Sequence, residues 1–295
     1  MRKHAVSRPT YLVPLLGLLA LLLPQVLPAA QSEQLHYRVS YQGFFSAGAR
    51  LSIADVILST RQPASESAYA ETEMQVSSEA YGAVEAFYPI RYRFRSWYLP
   101  DRSASLAFEY WQRKRSGKLK HRLTYLDDPQ EPFITRDLQA EGELDLPSLL
   151  AGDYPAAAPQ SPRFDRLGLL QRVRSLPLQV GQQVELPVTT GKAMLHYRVS
   201  VEAEQQLQIA GQSWSALKLR FDGLEPDDRG KLRHSHRPVF IWLSNDAQRL
   251  PLRADSKHTL GRFTLEMVLP GQSQAPPEPP APDREPDSQL VLWEH

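Results

Sequence analysis

Two histidines and a nearby carboxylate are the residues in this sequence best spaced to bind a metal ion. On a β-strand, His234 and His236 point to one face, where they could share an ion with Asp228. Such a site would support hydrolysis by a metal-activated water. The surrounding residues 225–237 are dense in charge and glycine, which is typical of a solvated hairpin loop. We therefore assign no metal ligand and keep a metal-dependent hydrolase as an alternative.

Other catalytic motifs are absent from the sequence. It contains no Gly-x-Ser-x-Gly elbow, no Walker-type phosphate loop, no dinucleotide-binding glycine fingerprint and no His-Glu-x-x-His. It also lacks cysteine, which excludes disulfides, thiolate metal sites and cysteine nucleophiles. We assign no catalytic residue and no cofactor, and the sequence favours a protein that is not an enzyme.

A dense run of positive charge follows Trp111. The turn signal Ser116-Gly117 predicts that this run lies at the tip of a hairpin. Cations beside an aromatic side chain could contact phospholipid headgroups, lipopolysaccharide phosphates or peptidoglycan carboxylates, although exposed lysines at a tip also protect against aggregation. The candidate surface-binding residues are Arg113, Lys114, Arg115, Lys118 and Lys120.

Aromatic residues on predicted strands form a third candidate site. If the sheet curls around a cavity, these side chains could line it for an acyl chain or another apolar ligand. The alternative is a filled core, as in most small barrels. The candidate ligand-binding residues are Tyr92, Phe94, Trp97, Trp111, Trp214 and Trp242.

The elements that position these residues are predicted to be strands. Apolar and polar residues alternate with period two through most of residues 35–126 and again from 184 to 269, and turn signals separate the runs. This spacing predicts antiparallel hairpins, and about thirteen short strands cannot form one flat sheet. We expect an all-β fold, a curved or closed antiparallel β-barrel-like sheet.

Residues 127–180 interrupt the strand pattern with repeated prolines. We interpret them as an irregular crossover holding one or two short helices: residues 164–175, with Pro177 ending the helix, and a turn at residues 146–150. The whole of residues 31–270 is then one domain. Residues 271–295 are predicted to be a Pro-rich disordered tail, whose apolar end at residues 290–293 could recruit a partner.

The six-letter run LHYRVS occurs twice, at residues 35–40 and 195–200. Beyond these letters the flanking residues diverge, so a duplicated module is not indicated. Within each copy, His and Arg fall on one strand face and Leu, Tyr and Val on the other, as a half-buried strand requires. We expect His36 and His196 on the solvent face.

The N-terminus resembles an export signal. Arg2, Lys3 and Arg8 precede an apolar run at residues 11–23, and Ala29-Ala30 offers a cleavage site. We expect residues 1–30 to be a signal peptide that is cleaved, and we expect no transmembrane anchor after cleavage. The mature protein is then predicted to be periplasmic, in a Gram-negative bacterium.

The formal net charge of the chain is +1. A protein that binds nucleic acid would need a strongly basic face, so we predict no nucleic-acid partner.

Three stretches resemble one exported bacterial family, the domain of unknown function 3108. They are the opening residues 35–53, the residues 169–188 around Leu178-Gln179-Val180-Gly181, and the strand–turn–strand at residues 240–253. The resemblance implies a β-barrel-like fold across roughly residues 33–269, of the size expected for one domain. It implies no catalytic residues.

Together these observations predict a non-enzymatic periplasmic protein that binds an envelope component. The ligand would be a lipid, a lipoprotein moiety or an outer-membrane partner, and carriers that ferry lipoproteins offer an architectural analogy. A structural module that recruits a partner through the C-terminal tail is the alternative from a different class, beside the metal-dependent hydrolase.

Overall fold

The computed structural model describes residues 32–62, 69–126, 133–138 and 162–269. Within them, fourteen strands form one sheet. The strands are β1 (Ser32–Gly43), β2 (Arg50–Arg61), β3 (Ala70–Ser77), β4 (Arg91–Tyr98), β5 (Ser105–Arg113), β6 (Leu119–Tyr125), β7 (Ile134–Asp137), β8 (Gln183–Thr189), β9 (Met194–Ile209), β10 (Gln212–Pro226), β11 (Leu232–His234), β12 (Val239–Ser244), β13 (Pro251–His258) and β14 (Gly261–Val268). A 3₁₀ helix (Phe44–Ser46) and the helices α1 (Gly82–Phe87) and α2 (Arg166–Arg174) complete the described elements.

The sheet is antiparallel throughout its main path. Its strand order is β7-β6-β5-β4-β3-β2-β1-β14-β13-β12-β10-β9-β8, and β11 pairs with β10 outside this path. The predicted all-β, β-barrel-like fold is confirmed, as a sheet that curls but does not close. The strand β7 lies inside the segment predicted to be irregular, because four residues are too few for an alternating pattern to be recognised.

The two edge strands, β7 and β8, approach each other along a seam. Toward one end of the seam, Thr135 Oγ1 donates a hydrogen bond to the carbonyl of Gly191 at 2.9 Å. Toward the other end, backbone bonds through two residues bridge the gap. Ser105 N donates to Arg163 O at 2.8 Å, and Phe164 exchanges backbone bonds with Pro187 and Thr189. The seam is therefore crossed by backbone bonds nearer to α2 and by a side-chain bond farther from it.

Helix α2 crosses one end of the curled sheet, which we call the helix end. Its buried face includes Leu169 and Val173 in one core cluster and Leu167 in a second. At its C-terminus the Arg174 guanidinium pairs with Glu33 of β1 at 2.7 Å and also bonds the turn between β12 and β13. The predicted helix is confirmed, whereas the predicted turn at residues 146–150 lies outside the described residues.

The opposite end carries the turns that follow β1, β5, β8 and β13, and we call it the loop end. Both LHYRVS copies lie on strands that run between the two ends, β1 and β9. His36 and His196 are exposed, while Tyr37 and Tyr197 are buried. The prediction of one strand pattern used twice is confirmed.

Candidate ligand cavity

Two cavities lie between the sheet and helix α2, and Arg166 lines both of them. The larger has a volume of about 590 Å³ and the smaller about 210 Å³. Sites for small molecules range from roughly 300 to 1,000 Å³, so the larger cavity has the size of a ligand site.

The larger cavity combines an apolar wall with a basic one. Its apolar side chains come from α2 and from strands β10 and β12: Leu169, Leu170, Phe221, Val239 and Ile241. Toward the loop end its polar side chains are histidines and cations: His236, Arg237, Lys257 and His258. No acidic residue lies among the described residues that line this cavity. A negatively charged group would meet attraction there without a competing carboxylate.

Arg166 has an unusual position. It occupies the first turn of α2, where the helix dipole opposes a positive charge. Its side chain is exposed to the cavities, and among the described residues no ion pair or hydrogen bond to it is found. Lys257 also contributes to the cavity lining, but it lies between Ser256 and His258 on β13, so its side chain points to the outer face. Arg166 is therefore the cation available to a ligand in the larger cavity.

The smaller cavity lies along the seam and is also basic. Lys120, Arg122 and Lys192 line it, and Arg122 pairs with Asp137 at 2.7 Å. Partial burial lowers the pKa of Lys120, and the neighbouring charges of Arg122 and Lys192 lower it further. The charge of this wall is therefore only partly compensated.

Asp165 fixes the start of α2 between the two cavities. Its Oδ1 accepts hydrogen bonds from the backbone of Leu167 at 2.8 Å and Gly168 at 3.2 Å, and its Oδ2 accepts one from the Ser96 hydroxyl at 2.5 Å. Complete burial raises the pKa of Asp165, although these hydrogen bonds act in the opposite direction. The side chain caps the helix and ties it to β4.

A second cluster of charge lies on the outer face of the sheet. Glu109 has no exposed surface, and its carboxylate contacts His121 Nε2 at 2.5 Å, Arg93 at 3.2 Å and Arg95 at 3.3 Å. Its neighbours Phe108 and Tyr110 line the smaller cavity, so Glu109 must point away from it. The cluster belongs to the wall and not to the cavity.

A comparison with protein-family models matches residues 36–268 to the family described as "Protein of unknown function (DUF3108)". The chain belongs to the DUF3108 family. A comparison with curated proteins finds no match. Among solved structures, a similar one is a β-barrel-like protein of the domain of unknown function DUF1849 from Brucella abortus, with 8% sequence identity and a TM-score of 0.46. The alignment covers 80% of this chain and 94% of that one.

The aromatic residues proposed as cavity lining divide between the two faces of the DUF3108 sheet. Tyr92 and Phe94 lie on the inner face with Tyr110, and Phe94 lines the smaller cavity. Trp97 and Trp111 lie on the outer face, each with an arginine from β4 about 6 Å from its ring.

Two further tryptophans were proposed for the cavity. Trp242 contacts Arg253 and points away from the cavity that its neighbour Ile241 lines. Trp214 packs at the edge of the second core cluster. Neither lines the two cavities, whose aromatic side chains are phenylalanine and tyrosine, such as Phe108, Tyr110 and Phe221.

The basic run lies at the loop end, in the hairpin between β5 and β6, as the turn signal predicted. Its first four cations, Arg113, Lys114, Arg115 and Lys118, are exposed, whereas Lys120 is half-buried in the smaller cavity. The basic run thus contributes four cations to the surface of the loop end and one to the smaller cavity. Trp111 lies beside it and contacts Arg113 at 5.8 Å.

The histidines proposed as metal ligands are not brought together. His234 approaches Asp222 at 3.4 Å, while His236 bonds the Tyr197 hydroxyl at 2.9 Å and lines the larger cavity. Asp228 lies in the turn before β11. Within the described ranges, no group of three His, Asp or Glu side chains could hold a metal ion. The hydrolase alternative gains no support.

Sequence reasoning missed Arg166, Glu109 and His121. Arg166 follows the capping residue Asp165. Such a residue predicts where a helix begins, but it does not predict that the next side chain faces a cavity. Glu109 stands among apolar and aromatic neighbours in β5, and only the register with β4 and β6 reveals its partners. In the part of the chain that the structure covers, no helix is long and apolar enough to cross a membrane.

Proposed function

We propose that this DUF3108 protein binds an amphipathic molecule with an acyl chain and an anionic group in its larger cavity. The observation that carries the proposal is the lining of that cavity, which joins an apolar wall to cations with no acidic residue among them. An apolar pocket with a few placed polar groups is the usual form of a small-molecule site. Arg166 would pair with the anionic group.

The proposal extends to the cell envelope. The N-terminal pattern of an export signal supports a periplasmic location, where acyl chains with anionic headgroups occur in lipids and in lipoprotein moieties. Residues 1–30 and the C-terminal tail lie outside the described residues, so this part of the proposal rests on the sequence. The larger cavity does pair a hydroxyl with an imidazole, since Ser256 Oγ lies 3.1 Å from His258 Nε2. This pair is exposed, and no carboxylate among the described lining residues orients the imidazole, so binding and not catalysis is proposed.

Binding of a fluorescent polyene fatty acid and of its methyl ester tests the proposal. We expect saturable binding of the acid and weaker binding of the ester, which has the same chain without the charge. Changing Arg166→Gln should weaken binding of the acid about tenfold, because a hydrogen bond to a charged group is lost. Binding of the ester should not change.

Arg172→Gln is the matched control, since Arg172 lies on the same helix but does not line either cavity. It should bind the acid as the unaltered protein does. Mass spectrometry of an organic extract gives an independent readout, and an apolar anion should copurify. A protein that carries no such molecule and binds acid and ester alike, or neither, would refute the proposal.

A further inference from the structure

Five large apolar side chains are strongly exposed at the loop end. They are Phe44 (83% exposed), Phe45 (72%), Phe87 (77%), Tyr88 (63%) and Leu260 (55%), and we call them the aromatic rim. They lie in the 3₁₀ helix after β1, at the end of α1 and in the turn between β13 and β14. Since Leu260 directly follows His258 and Thr259, which line the larger cavity, the rim adjoins that cavity.

The part of the rim after β1 is held in place by hydrogen bonds. Leu260 O accepts bonds from Phe44 N at 3.2 Å and from the Tyr41 hydroxyl at 2.7 Å. The backbone approach is so close that a Cβ on Gly43 would lie 2.3 Å from the same carbonyl. The turn is fixed and presents both phenylalanine rings outward, in an edge-to-face contact at 5.5 Å.

The other part of the rim adjoins the basic hairpin. Arg115 donates a hydrogen bond from its guanidinium to the carbonyl of Phe87 at 3.0 Å. Arg115 and its neighbours Lys114 and Lys118 are exposed, and no acidic residue occurs between Arg113 and Arg122. Exposed aromatics and clustered cations therefore share this end of the molecule.

We infer that the aromatic rim and the basic hairpin together dock on the surface of an anionic phospholipid bilayer. Aromatic side chains favour the boundary between headgroups and acyl chains, and lysine and arginine are attracted to anionic headgroups. A second copy of the chain is a poorer occupant, because a symmetric contact would bring two basic hairpins together.

The inference goes beyond the proposed function and does not depend on it. Docking would place the loop end of the larger cavity against the bilayer, where a lipid could enter or leave. Ligand binding and bilayer binding are separate measurements, so failure of one does not imply failure of the other.

Sedimentation with vesicles tests the inference on the full chain. We expect binding to vesicles of phosphatidylcholine mixed with phosphatidylglycerol, weaker binding to phosphatidylcholine alone, and release as salt is raised. The double variant F44S/F45S should lower the partition coefficient at least tenfold, because two aromatic rings that would be buried in the bilayer are lost. The variant K114Q/R115Q/K118Q should lose most of the preference for the anionic vesicles, by roughly fivefold for each cation removed.

Val180→Ser is the matched control, because Val180 is 55% exposed in the turn before β8 and lies outside the rim. It should sediment as the unaltered protein does. The apolar N-terminal segment is the same in all variants. Differences in vesicle binding between the variants therefore report on the rim and the hairpin. Equal binding to neutral and anionic vesicles, or full binding by F44S/F45S, would overturn the inference. So would a rim variant whose main effect is loss of self-association in analytical ultracentrifugation.

Discussion

Replacing Glu109 with alanine is expected to lower the free energy of unfolding by about 3–5 kcal/mol. The carboxylate is completely buried, and three basic side chains converge on it from strands β4 and β6. Without it, Arg95 would remain only 7% exposed, and among the described residues Glu73 would be the carboxylate left to pair with it. Breaking a buried ion pair costs more than forming it gains, because the remaining charges stay desolvated. Urea unfolding followed by tryptophan fluorescence measures the change.

An exposed ion pair provides the control for this prediction. Glu185 pairs with Arg198 at 2.8 Å, but their side chains are 45% and 39% exposed. Glu185→Ala should therefore cost less than about 1 kcal/mol. Glu109→Gln should fall between the two, because the amide keeps the shape and one acceptor. If Glu109→Ala and Glu185→Ala destabilise equally, the outer cluster does not support the wall as described.

The second large effect is expected at Asp165. Its replacement by alanine removes a helix cap worth about 1 kcal/mol and leaves the buried Ser96 hydroxyl without its acceptor, which costs about 1–3 kcal/mol more. The total expected loss is about 2–4 kcal/mol. Asp165→Asn should cost much less, because the amide oxygen can still cap α2 and the buried charge is gone. Thermal unfolding of both variants beside the unaltered protein measures the difference.

The same residue predicts a dependence on pH. Burial raises the pKa of Asp165 above its ordinary value of 3.8, so the folded state holds this proton more tightly than the unfolded state. The resulting stability is present below pH 3.8 and is lost as pH rises through the folded pKa. The unaltered protein should therefore lose stability relative to Asp165→Asn across this interval. A constant difference between them from acid to neutral pH would contradict the assignment.

The fold could be predicted because its signals are local. Period-two alternation and turn residues identify strands without knowledge of their partners, and both LHYRVS copies show the expected division into buried and exposed faces. The candidate site could be predicted only in part. Phe94 and Trp97 are three residues apart and so lie on opposite faces of β4, a distinction that composition alone does not make.

The remaining features depend on contacts between distant parts of the chain. Glu109 acquires its partners from the register of three strands, and Arg166 acquires its surroundings from α2 and from strands far along the sequence. No local pattern distinguishes an arginine that faces a cavity from one that faces solvent. This is why the sequence predicted a basic hairpin correctly and missed the cation between the cavities.

The hydrogen bonds that link the two edges of the sheet differ in number and kind along the seam. Near helix α2 the edges are linked by backbone bonds through Arg163 and Phe164, whereas toward the loops the link described is the single bond from Thr135 to Gly191. One such bond contributes only about 0.5–1.5 kcal/mol. Separating the edges at the loop end would therefore break one side-chain hydrogen bond and no described strand pair, whereas separating them near α2 would break several backbone bonds.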